Sequence, residues 1–245
     1  MTILFDGSDA HHAPLASWQQ EALVALHKKL SDQQSRFPCI PAAVGHRLGQ
    51  FRYGFAGDPT AADTAGQLAD LLTIYGRQSK EFGHYTSLIV FFDTAKQQRL
   101  DLDVPAYFRI FWDLLSRTAA FDPSGWPDDI PENPDEALWE YCFGGEKYFM
   151  YCATPAHQQK KSRKFPCMML AITPRWVLEE FKSKPRAAAS IKQKIRGRIT
   201  AYDDNDIHPD LNAYGNPDNH EWKQYFLHDD NTSPSKCPFH RSKRD

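Results

Sequence analysis

Long apolar runs are missing from this chain. Its most strongly apolar stretch, Leu88-Ile89-Val90-Phe91-Phe92, falls far short of the roughly 20 residues a helix needs to cross a bilayer, so no membrane span is expected. Charge of one sign is missing too. Lys and Arg number 29 against 31 Asp and Glu, a formal net charge of -2, which leaves no general field to gather a phosphate backbone; nucleic acid is not an expected partner. The five cysteines, Cys39, Cys142, Cys152, Cys167 and Cys237, contain no C-x-x-C pair, which argues against a disulfide framework and a zinc ribbon and predicts reduced thiols. Met1 to Pro14 has neither a basic start nor an apolar run, so no secretion leader is expected and the cytoplasm is the expected location. No G-x-S-x-G elbow, H-E-x-x-H helix or phosphate loop occurs, and Gly45-His46-Arg47-Leu48-Gly49 lacks the Gly-Lys-Ser/Thr ending of the last.

Aromatic and aliphatic residues, by contrast, are plentiful. A hydrophobic content of 41% in 245 residues suits one packed globule, read as a single domain over 1–245 with the C-terminal segment 204–245 docked on its core. Helical spacing of apolar residues runs through Leu15, Trp18, Ala22, Leu26 and Leu30, through Leu68, Leu71, Leu72 and Tyr75, and through Val104, Phe108, Phe111, Trp112 and Leu115. Further helices are expected around Trp176 and from Ile191 to Tyr202. Strand patterns occur near 50–56, 85–92, 147–153 and 168–173, and the prolines at 123, 127, 131 and 134 mark an exposed connector. These periods predict an α+β fold with a single mixed or antiparallel sheet and helices packed against it.

Chemistry is most concentrated at Ala153 to Lys164, where His157 follows a predicted strand and precedes Lys160, Lys161, Arg163 and Lys164. An imidazole can ligate haem iron and the cations can pair with its propionates; the same residues also read as a solvated basic loop. His84, at the start of the apolar strand, is the alternative ligand or an ordinary hydrogen-bonded histidine. His46 is a weaker candidate. The dispersed tail set of His208, His220, His228 and His240 with Asp210, Asp218, Asp229 and Asp230 has no ligand spacing of its own.

Phe37-Pro38-Cys39 and Cys237-Pro238-Phe239 resemble the paired signatures of the YqcI/YcgG family. Tyr85-Thr86-Ser87-Leu88, Thr154-Pro155-Ala156-His157, Ser162-Arg163, Pro174-Arg175-Trp176 and Gly215 through Cys237 are similar to its internal landmarks, so the likeness spans nearly the whole chain. The resemblance implies haem b and N-hydroxylation of a guanidino or amine-containing small molecule, with dioxygen and an unidentified electron donor. A non-catalytic haem-binding or sensing protein is the alternative. On that reading His157 is the expected iron ligand, Arg163 with Lys160, Lys161 or Lys164 meets the propionates, and Glu140 and Glu146 bind a cationic substrate. The two terminal signatures are expected to meet in space, because both are apolar and lie at opposite ends of the chain.

Overall fold

Every side chain of Leu88–Phe92 is buried, as a strand covered on both faces requires, and this strand forms the middle of the fold. The computed structural model describes residues 4–7, 13–182, 185–212 and 219–241. Its strands are β1 (Arg52–Ala56), β2 (Leu88–Phe92), β3 (Tyr141–Phe143), β4 (Glu146–Ala153) and β5 (Met169–Pro174), joined in one sheet of order β1-β2-β5-β4-β3. β1 and β2 are parallel and the other pairs antiparallel, so the sheet is mixed. The helices are α1 (Ser17–Ser31), α2 (Ile40–Arg47), α3 (Thr64–Gln78), α4 (Ala95–Arg99), α5 (Val104–Ala119), α6 (Arg175–Lys182) and α7 (Pro185–Asp203). The α+β expectation holds. No helix among the described residues is long and apolar enough to cross a membrane.

Strand alternation divides the interior into two layers. Leu88, Val90 and Phe92 face a large core built with α3, α5 and the aromatic residues Trp139, Trp222 and Tyr225. Ile89 and Phe91 face the other way, onto a smaller core with Ala22, Leu26 and Leu30 of α1. α3 makes the crossover between the parallel strands β1 and β2, and α5 packs beside it. Asp103 caps α5, its carboxylate accepting from the Ala106 amide at 2.8 Å. Gly144 and Gly145 both hold positive φ, +63° and +77°, in the tight turn that pairs β3 with β4.

Three local expectations change. β2 begins at Leu88 rather than Tyr85, because Gly83 at φ +108° turns the chain and Thr86 is held by the Tyr75 hydroxyl at 3.0 Å. Ile40–Arg47 is a helix, α2, that periodicity does not reveal in eight residues containing Pro41 and Gly45. The terminal signatures do not meet. Phe37 belongs to the small core, whereas Cys237 and Phe239 belong to the large one against Trp139 and Tyr141. With the sheet between them, Cys39 and Cys237 are both free thiols. Gly215 and Asp218 lie outside the described residues.

Candidate functional site

The segment after β4 folds inward. His157 is fully buried, with Nδ1 2.8 Å from the Thr154 hydroxyl and Nε2 2.9 Å from the Leu227 carbonyl. A carbonyl only accepts, so Nε2 carries the proton and donates, and Nδ1 accepts from Thr154. Burial pushes the imidazole down to about 4, so it is neutral near pH 7. Arg163 is equally enclosed. Its guanidinium donates to the carbonyls of Cys152 (3.2 Å), Tyr225 (3.0 Å) and Gln224 (2.8 Å) and lies over the Tyr151 ring. The buried Lys160 ammonium donates to the Asp206 carbonyl at 2.9 Å, while Asp203 accepts from both the amide and the hydroxyl of Ser162.

The segment 154–164 is the expected haem site, and its buried side chains have their partners within the fold. Both ring nitrogens of His157 bond buried partners, Arg163 donates from its two terminal nitrogens to three backbone carbonyls, and Lys160 donates to one. A neighbouring hollow of about 580 Å³ is lined by Pro155, Ala156 and Gln158, but His157 is not in its wall. Lys161 and Lys164 are exposed, and Lys164 donates to Gln158. His84, the alternative ligand, sits on an exposed turn with Nδ1 2.6 Å from Glu180.

Glu140, expected to meet a cationic substrate, has a cationic partner within the chain. Its carboxylate is fully buried and accepts from Arg175 Nε at 2.6 Å, and the same guanidinium also donates to Glu221. Glu146 is half-buried, raised by desolvation, and lines a pocket of about 250 Å³ with Tyr148 and Arg77. In the tail, burial pushes His208 down to about 4. Among the described residues no three His, Cys, Asp or Glu side chains converge as a metal site.

Imidazoles do come together elsewhere, between α1 and α2. His27 of α1 and His46 of α2 approach at 3.2 Å, Nδ1 to Nε2, and His46 Nδ1 lies 3.1 Å from the Tyr53 hydroxyl of β1. Gly45 lets α2 lie close against Tyr85 and Phe51, since a Cβ there would strike the Tyr85 carbonyl and the Phe51 ring. The two histidines and Tyr53 line a cleft of about 680 Å³. Leu30, Phe37, Ile40 and Val44 give it an apolar wall, and Arg36, Arg47 and Arg198 give it positive charge. Asp32 is the carboxylate in the cleft, kept below the usual range by the Ser35 and Gln34 amides. Burial lowers His46, and His27 beside it lowers it further. Burial also raises the Tyr53 phenol to about 12. Sequence reasoning ranks His46 low and does not single out His27 or Tyr53, because the three sit on separate elements.

The model of the YqcI/YcgG family matches residues 26–240. The chain belongs to the YqcI/YcgG family. It is 46% identical over 245 residues to the uncharacterised protein YqcI of Bacillus subtilis (strain 168), covering 99% of this chain and 96% of that one. It is 44% identical to the uncharacterised YcgG of the same organism, covering 92% and 89%. A more distant relative, at 28% identity over 92% of this chain and 85% of its own, is the putative N(omega)-hydroxy-L-arginine synthase DcsA of Streptomyces lavendulae. No solved structure matches. Cleft residues from His27 to Arg198 all lie inside the span that the family model matches.

Proposed function

We propose that this protein is a haem-dependent N-oxygenase that hydroxylates a guanidino nitrogen, with L-arginine or a close analogue as substrate. The observation that carries the reading is the alignment over 92% of the chain with a putative N(omega)-hydroxy-L-arginine synthase. In the overall reaction one oxygen atom of dioxygen enters an N–H bond of the substrate. The other leaves as water, and an external reductant supplies two electrons with two protons. Bound haem would supply the activation of dioxygen.

The α1–α2 cleft has a donor set that fits this group. It offers imidazole, an apolar wall for a macrocycle and guanidinium groups for carboxylates, in a volume within the ordinary range for cofactor pockets. The segment around His157 supports the reading less, because its buried donors are bonded to backbone carbonyls. The chain's own residues have three tasks: to hold the group, to keep water from its apolar face and to set the substrate nitrogen beside it. Asp32 is the carboxylate placed in the cleft to meet a cationic substrate; Glu146 lines a pocket with Phe143 and Tyr148, residues of the opposite core layer.

The test is direct. Protein produced with adequate haem supply should show a Soret band and, given L-arginine, dioxygen and a chemical reductant, should form a product heavier by one oxygen atom. A chain that takes up no haem and leaves every guanidino substrate unchanged would refute the reading, and haem uptake without turnover would favour a sensing or carrier role.

A further inference from the structure

His27 and His46 both line the cleft, with ring nitrogens 3.2 Å apart. Their hydrogen bonding has a direction. If His46 Nδ1–H donates to the Tyr53 oxygen, which keeps its own proton at neutral pH, then His46 Nε2 bears the lone pair and accepts from His27 Nδ1. Metal-ligating histidines are commonly held by one ring nitrogen while the other meets the metal; at His46 that second nitrogen is bonded to His27 at the cleft. His27 is exposed, so turning it aside breaks a single neutral hydrogen bond. The cavity's remaining surface divides by chemistry: an apolar wall from Leu30, Phe37, Ile40 and Val44, and guanidinium groups from Arg36, Arg47 and Arg198. That division matches a flat apolar ring system carrying carboxylates at one edge.

We propose that the cleft between α1 and α2 is the haem site, with His46 Nε2 as the iron ligand, Tyr53 orienting the ring and Arg47 among the groups that meet the propionates. The inference rests on the haem-dependent reading above. It gives a task to the Phe37-Pro38-Cys39 signature: Phe37 lines the cleft and Cys39 is the residue from which α2 starts. It also makes His27 the displaced partner of His46 and no ligand.

Haemin titration of the purified chain tests this by absorption and electron paramagnetic resonance, with no need for turnover. Wild type should take up haemin with a histidine-ligated spectrum. His46→Ala should lose that signature and bind roughly tenfold or more weakly, and added imidazole should restore the spectrum. His27→Ala and His157→Asn should keep the wild-type signature. Should His46→Ala lose its circular dichroism, two milder variants carry the test. Tyr53→Phe should shift the ligand signature while haemin still binds, and Arg47→Glu, at an exposed position, should weaken uptake severalfold with the signature unchanged. Wild-type uptake with an unaltered spectrum in folded His46→Ala, or in Tyr53→Phe and Arg47→Glu alike, would overturn the site and leave haem dependence standing. No uptake by wild type would overturn both.

Discussion

The segment 154–164 and the α1–α2 cleft contain the same kinds of side chain, imidazole with several cations, and the fold treats them oppositely. In the first, His157, Lys160 and Arg163 are enclosed and satisfied by carbonyls from the C-terminal part of the chain. In the second, His46 and three arginines border open volume. A donor matched to a buried carbonyl strengthens the fold, whereas a polar group beside a cavity can exchange an exposed partner for a ligand. Substitutions should therefore cost stability in the first region and binding in the second.

The largest stability losses should come from the buried charges. Arg163→Met withdraws a charged donor from three carbonyls that water cannot reach, and Glu140→Ala leaves the Arg175 guanidinium short of a buried counter-charge. Each is expected to lower the unfolding free energy by about 3–5 kcal/mol, measured by urea denaturation. A loss below about 1 kcal/mol in both would show that the enclosed charges are not what fastens this half of the molecule.

His157 should make stability depend on pH. Its folded value of about 4 against an ordinary 6.5 means that the unfolded chain binds an extra proton between those limits. Stability contributed by the neutral, buried ring is therefore present above about pH 6.5 and is lost as pH falls towards 4. For one such group the loss between pH 8 and pH 5 is about 2 kcal/mol. His208, also lowered to about 4, acts in the same direction. His157→Asn should remove about 2 kcal/mol of this dependence, read from urea denaturation at the two pH values. An unchanged slope would mean that His157 is solvated in the native state.

Elements with many repeats of one period were legible in the sequence, whereas α2 and the cleft were not. The spacing of Leu68, Leu71, Leu72 and Tyr75 recurs as the buried face of α3, and Leu88 to Phe92 is the central strand. α2 has eight residues, too few for a period, and its Pro41 and Gly45 look like turn signals. Cations follow His157 in the sequence, at 160, 161, 163 and 164. Nothing local says that the carbonyls of Leu227, Gln224 and Tyr225 will claim those donors. The cleft joins residues 27, 46, 53 and 198, and such a site exists only once α1, α2, β1 and α7 are packed. Phe37 belongs to a sequence signature, but its place in the wall of the cleft depends on how α1 and α2 pack.

The smallest effects sharpen the contrast most, because they concern residues that share the basic segment but not its enclosure. Lys161 and Lys164 are exposed, and what the fold draws from them is backbone: their carbonyls accept from the Lys29 ammonium at 2.9 and 3.0 Å. Replacing either side chain by Ala keeps those carbonyls and removes at most a solvated charge and, for Lys164, its bond to Gln158. Lys161→Ala and Lys164→Ala should therefore shift stability by no more than about 0.5 kcal/mol. Lys29→Met is the informative control. Its ammonium is mostly buried, lowered by desolvation to about 8, and ties α1 to this segment, so its loss should cost about 1–3 kcal/mol. If haem propionates lay on the 154–164 segment, Lys161→Ala and Lys164→Ala would weaken haemin uptake while leaving the urea midpoint alone. With the propionates in the cleft, uptake should match wild type in both variants and fall in Arg47→Glu.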